Sequence, residues 1–293
     1  MSYSTWICAT QIDVGTEIVE LNLPIVLAGF YFSTLKELMP YTIASTQHCG
    51  RDKRFPQQQD SLWNGAAVFQ KRNLLPEQYV TISDSLAVAV ADGVGCSPRA
   101  EMASLCVLQT LASEAPDNAF DRRMVGRLHE QLCKRLARGE TRGSSITLAA
   151  VRCYPDHCEV LNAGDSRVYR ISAAGAWQQL SYDHSLINSL IEQGEAEAGV
   201  EYASFYYSLD SCLVADGEES EFAIHRRIER MAVGDTLLLC TDGVHDTLSD
   251  AQLQSLFNAS LSPKEQALVW RDAVLHAGAP DNLSLIVLRY DSF

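Results

Sequence analysis

An α+β domain of antiparallel sheets with helices packed on their outer faces is what this sequence predicts, from three observations. Strand-like apolar runs come in meanders rather than singly between helices. Helical patterns come in pairs, with apolar residues at three- and four-residue spacing: Met102, Leu105, Cys106, Leu108 and Leu111, then Val125, Leu128, Leu132 and Leu136. No repeat or low-complexity linker divides the 293 residues, which are enough to bury a large core.

Residues 1–40 are expected to be an N-terminal extension or extra edge strands of the main sheet. Strands are predicted over 6–12 and 17–23, with a short helix over 33–39 ending before Pro40. From 41 the pattern sharpens. Residues 41–47 alternate as a strand, a polar and basic stretch covers 50–61, and strands are predicted over 62–70, 78–83 and 87–91. The two helices cover 100–115 and 124–138. Strands follow over 146–153, 158–163, 168–172 and 177–180. A helix opens at Asp183-His184-Ser185, where Asp183 or Ser185 can cap it, and Gly194 stops it. Residues 195–221 are acidic, aromatic and aperiodic, and are read as a surface flap. Strands over 222–230 and 236–241, helices over 250–256 and 262–277, and a strand over 284–290 complete the chain.

Composition is that of a globular protein, 47% hydrophobic and 20% charged. A formal net charge of −14 argues against a nucleic-acid partner, which needs a basic footprint, and makes a nuclease the weakest reading. The nine cysteines show no paired metal-ligand spacing and are read as free thiols, mostly buried, in a reducing cytoplasm. No signal peptide is recognised. The apolar stretch over 21–32 is short for a membrane span and contains Asn22, Pro24 and Gly29.

The chemistry is carried by strand ends. Leu237-Leu238-Leu239-Cys240-Thr241 runs into Asp242-Gly243, and Ala87-Val88-Ala89-Val90-Ala91 runs into Asp92-Gly93. A strand fixes its terminal carboxylate, and a glycine after it lets the backbone turn so that a carbonyl can face the same ion. Asp60 stands before one strand and Asp281 before the last. Four carboxylates with the Gly93 carbonyl suit a pair of hard cations, Mn²⁺ or Mg²⁺, of the kind that activates water for displacement at phosphorus. Each acid alone reads equally well as a turn or cap.

Taken in order, the pieces extend this pattern: Arg54 ahead of Gln59-Asp60; Ala91-Asp92-Gly93-Val94-Gly95; Gly143-Ser144-Ser145; Asn162-Ala163-Gly164-Asp165-Ser166-Arg167; Asp183-His184-Ser185; Gly234-Asp235 before Cys240-Thr241-Asp242-Gly243; and Asp281-Asn282-Leu283-Ser284. Over residues 41–293 the chain resembles the PP2C (PPM) family of metal-dependent serine/threonine protein phosphatases, in its compact bacterial form. The resemblance implies an α-β-β-α sandwich, two antiparallel sheets flanked by paired helices. It implies that Asp92 bridges two metals, with the Gly93 carbonyl completing one shell. Asp60 is then bound through metal waters, and Asp242 with Asp281 holds the second ion. A water between the metals attacks phosphoserine or phosphothreonine directly, and an arginine grips the phosphate.

Two departures from the family stand out. The phosphate-gripping arginine usually lies five residues before the aspartate, where this chain has Phe55; Arg54 is the preferred substitute and Arg51 its competitor. Bacterial members carry an aspartate for a third, weaker metal where this chain has Glu140. Gln59 replaces a glutamate found in many relatives, and Val94 a histidine of eukaryotic ones. Asp165 and Arg167 are read as a structural turn and ion pair, and Asp183 and His184 as a helix cap and brace. His245 is read either as a neighbour of the site or as a surface residue, and Asp246 is not read as a ligand. The resemblance further implies a cytoplasmic monomer acting on phosphoproteins of a bacterial serine/threonine kinase. The alternative is a catalytically weakened scaffold that binds or regulates.

Overall fold

The computed structural model describes residues 7–14, 17–24, 38–51, 57–217 and 221–293, the first two stretches by their backbone alone. Strands β1 (Ile7–Val14) and β2 (Glu17–Pro24) form an antiparallel hairpin that pairs with neither of the larger sheets. The helix expected over 33–39 falls largely outside the described residues. β3 (Met39–His48) begins the main body.

Two six-stranded antiparallel sheets follow. Sheet one has the order β14 (His225–Arg230), β10 (His157–Ala163), β9 (Leu148–Cys153), β7 (Leu86–Ala91), β4 (Ser61–Trp63), β5 (Val68–Phe69). Sheet two has the order β12 (Trp177–Gln179), β11 (Arg167–Ile171), β15 (Thr236–Cys240), β16 (Leu283–Tyr290), β3, β6 (Asn73–Ser83). Alternation along the strands sorts their side chains between layers. On β7, Val88 and Val90 point between the sheets while Ala89 and Ala91 point outward. On β15, Leu237 and Leu239 point inward, and Leu238 and Cys240 outward.

Helices α1 (Ala100–Glu114) and α2 (Arg122–Leu136) cover the outer face of sheet one, with Val107, Leu111, Met124 and Leu128 against Ala89, Leu148 and Ala150. On the far face of sheet two, α5 (Asp250–Ser255) and α6 (Pro263–His276) bring Leu253, Trp270 and Val274 onto Leu238, Leu285 and Val287. Both carry reciprocal capping boxes, Ser249 with Gln252 and Ser262 with Glu265. The α-β-β-α sandwich is therefore present.

Several boundaries differ from the sequence reading. The strand expected over 62–70 is a hairpin of β4 and β5. Asn64 Oδ1 accepts from the backbone N–H groups of Ala66 and Ala67, and Gly65 takes a φ of +94°, so Asn64-Gly65 is a turn inside an apolar run. Strand β14 starts at His225 rather than 222. Helix α3 (Leu186–Gln193) has Ser185 in its N-cap position without a side-chain bond, and ends at Gly194 with φ +75°. The flap over 195–221 holds a 3₁₀ turn (Ser204–Tyr207) and β13 (Leu213–Val214), which pairs with β8 (Ser145–Ile146). Among the described residues no helix is long and apolar enough to cross a membrane. The eight cysteines whose side chains are described are all free, but only Cys106, Cys153, Cys158 and Cys240 of them are buried, and Cys96 is exposed.

Candidate metal centre

One end of the sandwich collects the acids. Asp60 precedes β4 and Asp92 follows β7, and these strands are partners, with Ser61 opposite Ala91. Asp242 follows β15 and Asp281 lies two residues before β16, and these are partners in the other sheet, with Cys240 opposite Leu285. Asp242 opens a single helical turn, α4 (Asp242–His245), too short to leave a periodic signal in sequence.

Glycine acts here through close approach rather than by turning the chain. A Cβ on Gly243 would stand 1.8 Å from the carbonyl oxygen of Asn282, so only glycine lets the Asp242 turn lie against the Asp281 loop. A Cβ on Gly93 would stand 2.7 Å from the carbonyl oxygen of Gln59 and 2.6 Å from that of Ala100, so the same holds where Asp92 meets the Asp60 segment. Neither glycine has a positive φ. Asn282 completes the assembly: its Oδ1 accepts from the Gln59 N–H at 2.5 Å, and its Nδ2 donates to the carbonyl of Cys49 at 2.9 Å.

Asp60 is fully buried. Its Oδ2 accepts from Thr241 Oγ1 at 2.8 Å and Ser284 Oγ at 2.9 Å, and Ser284 Oγ accepts from Gln47 Nε2 at 2.9 Å. Its other oxygen, Oδ1, is buried with no hydrogen-bond partner. An orphaned carboxylate oxygen is costly unless a cation or its water meets it. Burial, and then the charge of Asp242, push the Asp60 carboxyl up from the ordinary 3.8 to about 7. Asp92 is held well above the usual range by burial and by Asp60, Asp165 and Asp281; Asp242 likewise by burial and by Asp92, Asp165 and Asp281. Crowded carboxylates of this kind raise one another's affinity for protons, and equally for divalent cations with oxygen-ligand chemistry. The donor set therefore fits Mn²⁺ or Mg²⁺.

Asp165 belongs to this cluster, contrary to its reading as one half of a turn ion pair. It lies where the chain crosses from β10 in sheet one to β11 in sheet two. Its Oδ1 is buried and unpartnered, and burial raises its carboxyl to about 6 against the opposing influence of His245. The ion pair forms elsewhere, between Arg167 Nη2 and Asp183 Oδ2 at 2.6 Å, which occupies Asp183 in place of a helix cap. Asp246 also contributes to the raised carboxyls of Asp165 and Asp242. His184 braces the Asp165 turn: its N–H donates to the Gly164 carbonyl at 3.1 Å, and its Nδ1 accepts from the Gly164 N–H at 3.0 Å. His245 is buried rather than on the surface, with Nε2 3.1 Å from the Asp165 carbonyl oxygen.

The remaining expected residues are placed unevenly. Arg54 lies outside the described residues. Arg51 is exposed. Its N–H donates to the Ala279 carbonyl at 2.8 Å, and its neighbour Gly50 lies directly against the Asp281 carbonyl, so Arg51 borders the acidic end. Glu140 is exposed on the 3₁₀ turn Gly139–Thr141, outside the cluster of acids. The following strand β8 reaches that cluster through a bridge between Ile146 and Gly93.

Known proteins share this fold. A serine/threonine phosphatase stp of Listeria innocua is 27% identical over 147 residues, half of this chain and 57% of its own length, so the match spans little more than half of that relative. The crystal structure of the Mycobacterium tuberculosis serine/threonine phosphatase PstP/Ppp superposes with a TM-score of 0.65 at 20% identity. It covers 87% of this chain and all of the other. The catalytic domain of PstP in complex with two manganese ions superposes with a TM-score of 0.63 at 20% identity, over 86% of this chain and all of the other. The family model for protein phosphatase 2C matches residues 78–271, well over half the sequence. Together with a metal-suited cluster at the shared end of two antiparallel sheets, that match means that the chain belongs to the protein phosphatase 2C family.

Proposed function

We propose that this protein is a Mn²⁺- or Mg²⁺-dependent phosphatase that removes phosphate from phosphoserine and phosphothreonine of proteins, and that residues 41–293 form its catalytic domain with 1–40 as an extension. The observation that carries the reading is the meeting of Asp60, fully buried, with Asp92, Asp242 and Asp165, half-buried, all with carboxyls raised by burial and by one another's charge, and with Asp60 Oδ1 and Asp165 Oδ1 left without a hydrogen-bond partner. The names of the relatives and the manganese-bound PstP support it. Asp92, the Gly93 carbonyl and Asp60 would hold one ion, with Asp92 shared, and Asp242 and Asp281 the other. A bound pair of such ions supplies an acidified water and neutralises charge developing on the phosphate.

The chain's own residues do the rest. Thr241 and Ser284 keep Asp60 Oδ2 fixed and leave Oδ1 turned to the site. Asn282 holds the Gln59–Asp60 segment against the Asp281 loop. Arg54 grips the phosphate, with Arg51 at the rim as its competitor. Glu140 serves a third, weaker cation from the turn before β8. The substrates are phosphoproteins of a serine/threonine kinase. The test is hydrolysis of a phosphothreonine peptide by chelator-treated protein, which should be inactive until Mn²⁺ is restored. An Asp92→Asn variant should stay more than about 100-fold slower, beyond what loss of an outer-sphere partner costs. Equal turnover with and without Mn²⁺ would refute the reading.

A further inference from the structure

A second group of metal-ligating side chains lies on α2, over the outer face of sheet one, and its chemistry is different. His129 and Cys133 stand four residues apart on α2, hence on one face of that helix one turn apart. His129 is buried, and Cys133 and Asp216 are half-buried. One ligand atom from each lies within 4.8 Å of the others. Cys133 Sγ is 3.4 Å from His129 Nε2. A tetrahedral Zn²⁺, about 2.3 Å from sulfur and about 2.0–2.1 Å from nitrogen, separates such a pair by about 3.5 Å. The carbonyl oxygen of Val214 completes the set, 2.9 Å from His129 Nε2 and 3.7 Å from Cys133 Sγ.

We infer that His129, Cys133 and Asp216, with the Val214 carbonyl, form a binding site for a borderline-soft divalent ion, Zn²⁺ foremost. Thiolate and imidazole select against the hard Mg²⁺ and Mn²⁺ that suit the carboxylate cluster. Binding takes the proton from the Cys133 thiol to solvent. Without the ion, His129 Nε2–H donates to the Val214 carbonyl at 2.9 Å; binding moves that proton to Nδ1, so that the Nε2 lone pair faces the ion and the Val214 carbonyl exchanges its N–H donor for the cation. A carboxylate has two oxygens, so Asp216 can bind the ion with one and keep a protein partner on the other.

The site would act as a clamp. Val214 pairs with Ser145, the Ala215 N–H donates to the Ser144 carbonyl at 2.8 Å, and the Gly143 N–H donates to the Ala215 carbonyl at 2.8 Å. Ile146, next along that strand, bridges to Gly93. An ion at His129 therefore ties the end of the 195–221 flap to α2 and steadies the strand that borders the acidic cluster. His129 also packs against Phe222, just beyond the flap, with ring centroids 5.0 Å apart and planes tilted by 58°, so the ring is already held from both sides.

Cobalt is the spectroscopic probe. Full-length protein is stripped with chelator, dialysed into Mg²⁺ to supply the carboxylate cluster with a hard ion, and titrated with Co²⁺. One equivalent should produce a near-ultraviolet thiolate-to-cobalt band with the visible bands of a tetrahedral site, and Zn²⁺ should displace it. Cys133→Ser should abolish the thiolate band, and Asp216→Asn should weaken Zn²⁺ affinity by at least about 10–100-fold. Asp242→Ala should leave the band intact. Folding of each variant is checked by circular dichroism; if Cys133→Ser does not fold, Asp216→Asn carries the test. A wild type without the thiolate band, or an unchanged band or affinity in the folded variants, overturns the site.

Discussion

Thr241 Oγ1 donates a 2.8 Å hydrogen bond to Oδ2 of Asp60, so the residue just before Asp242 holds an acid of the other sheet. Ser284, three residues after Asp281, grips the same oxygen. The acids of sheet two thus position the acid of sheet one through their neighbours in sequence. Hydrogen bonds to a charged group are worth about 1.5–3 kcal/mol each, and Thr241→Val leaves a shape of similar volume without the donor. Chemical denaturation of Thr241→Val should show a loss of that size, with weaker Mn²⁺ binding, while Thr241→Ser stays near wild type.

Crowded acids make the metal-free protein sensitive to pH in a definite direction. The Asp60 carboxyl is raised from 3.8 to about 7, so the fold binds its proton more tightly than the unfolded chain does. Its unfavourable contribution is absent below about 4, grows as pH rises, and is complete above about 7. Comparison with Asp60→Asn, which cannot ionise, isolates this term. In chelator the Tm of Asp60→Asn should exceed that of wild type by more at pH 8 than at pH 5. A gap that narrows with rising pH would contradict the charge crowding.

For the same reason, Asp92→Asn should separate stability from activity. Replacing with a neutral amide a carboxyl held well above its usual range, first by burial and then by Asp60, Asp165 and Asp281, should raise the Tm of metal-free protein. The same variant should lose Mn²⁺-dependent hydrolysis. Calorimetric scans in chelator, beside assays in Mn²⁺, read the two effects independently.

Gly243→Ala tests close approach. The added methyl would stand 1.8 Å from the Asn282 carbonyl oxygen, and a backbone atom cannot swing aside as a side-chain end can. The Asp281 loop must move, so Mn²⁺ affinity should fall by more than about tenfold together with stability. An alanine variant with wild-type Mn²⁺ affinity would show that the contact between these loops is not what aligns the acids.

Much of this was legible in the sequence for physical reasons. Asp92 and Asp242 could be read because each ends a run whose alternating residues are buried on both faces, Val88 and Leu237 between the sheets, Ala89 and Leu238 beneath helices. The paired helices showed their apolar stripes, fully in α2, whereas in α1 Met102 is exposed, Leu105 half-buried, and Val107, not among the residues read from the spacing, is buried. Asp165 could not be placed among the acids, because its position depends on a chain crossing between sheets. Which of Asp165 and Asp183 takes Arg167 is settled only when α3 packs. The hairpin at Asn64-Gly65 was hidden by apolar residues on both sides, although the Asn-Gly pair is itself a turn signal. The role of Gly243 was misread for a related reason: sequence shows a missing side chain, not the neighbouring backbone that needs the space.

The central claim is that the clustered aspartates exist to hold the divalent ions of a phosphatase. The most direct measurement is hydrolysis of p-nitrophenyl phosphate by chelator-stripped wild type and Asp242→Ala across a Mn²⁺ titration. The account predicts saturable Mn²⁺-dependent turnover for wild type, abolished again by EDTA, and turnover at the metal-free level for Asp242→Ala at every concentration. Wild-type turnover no greater than that of Asp242→Ala in saturating Mn²⁺ would contradict it and favour a binding scaffold instead.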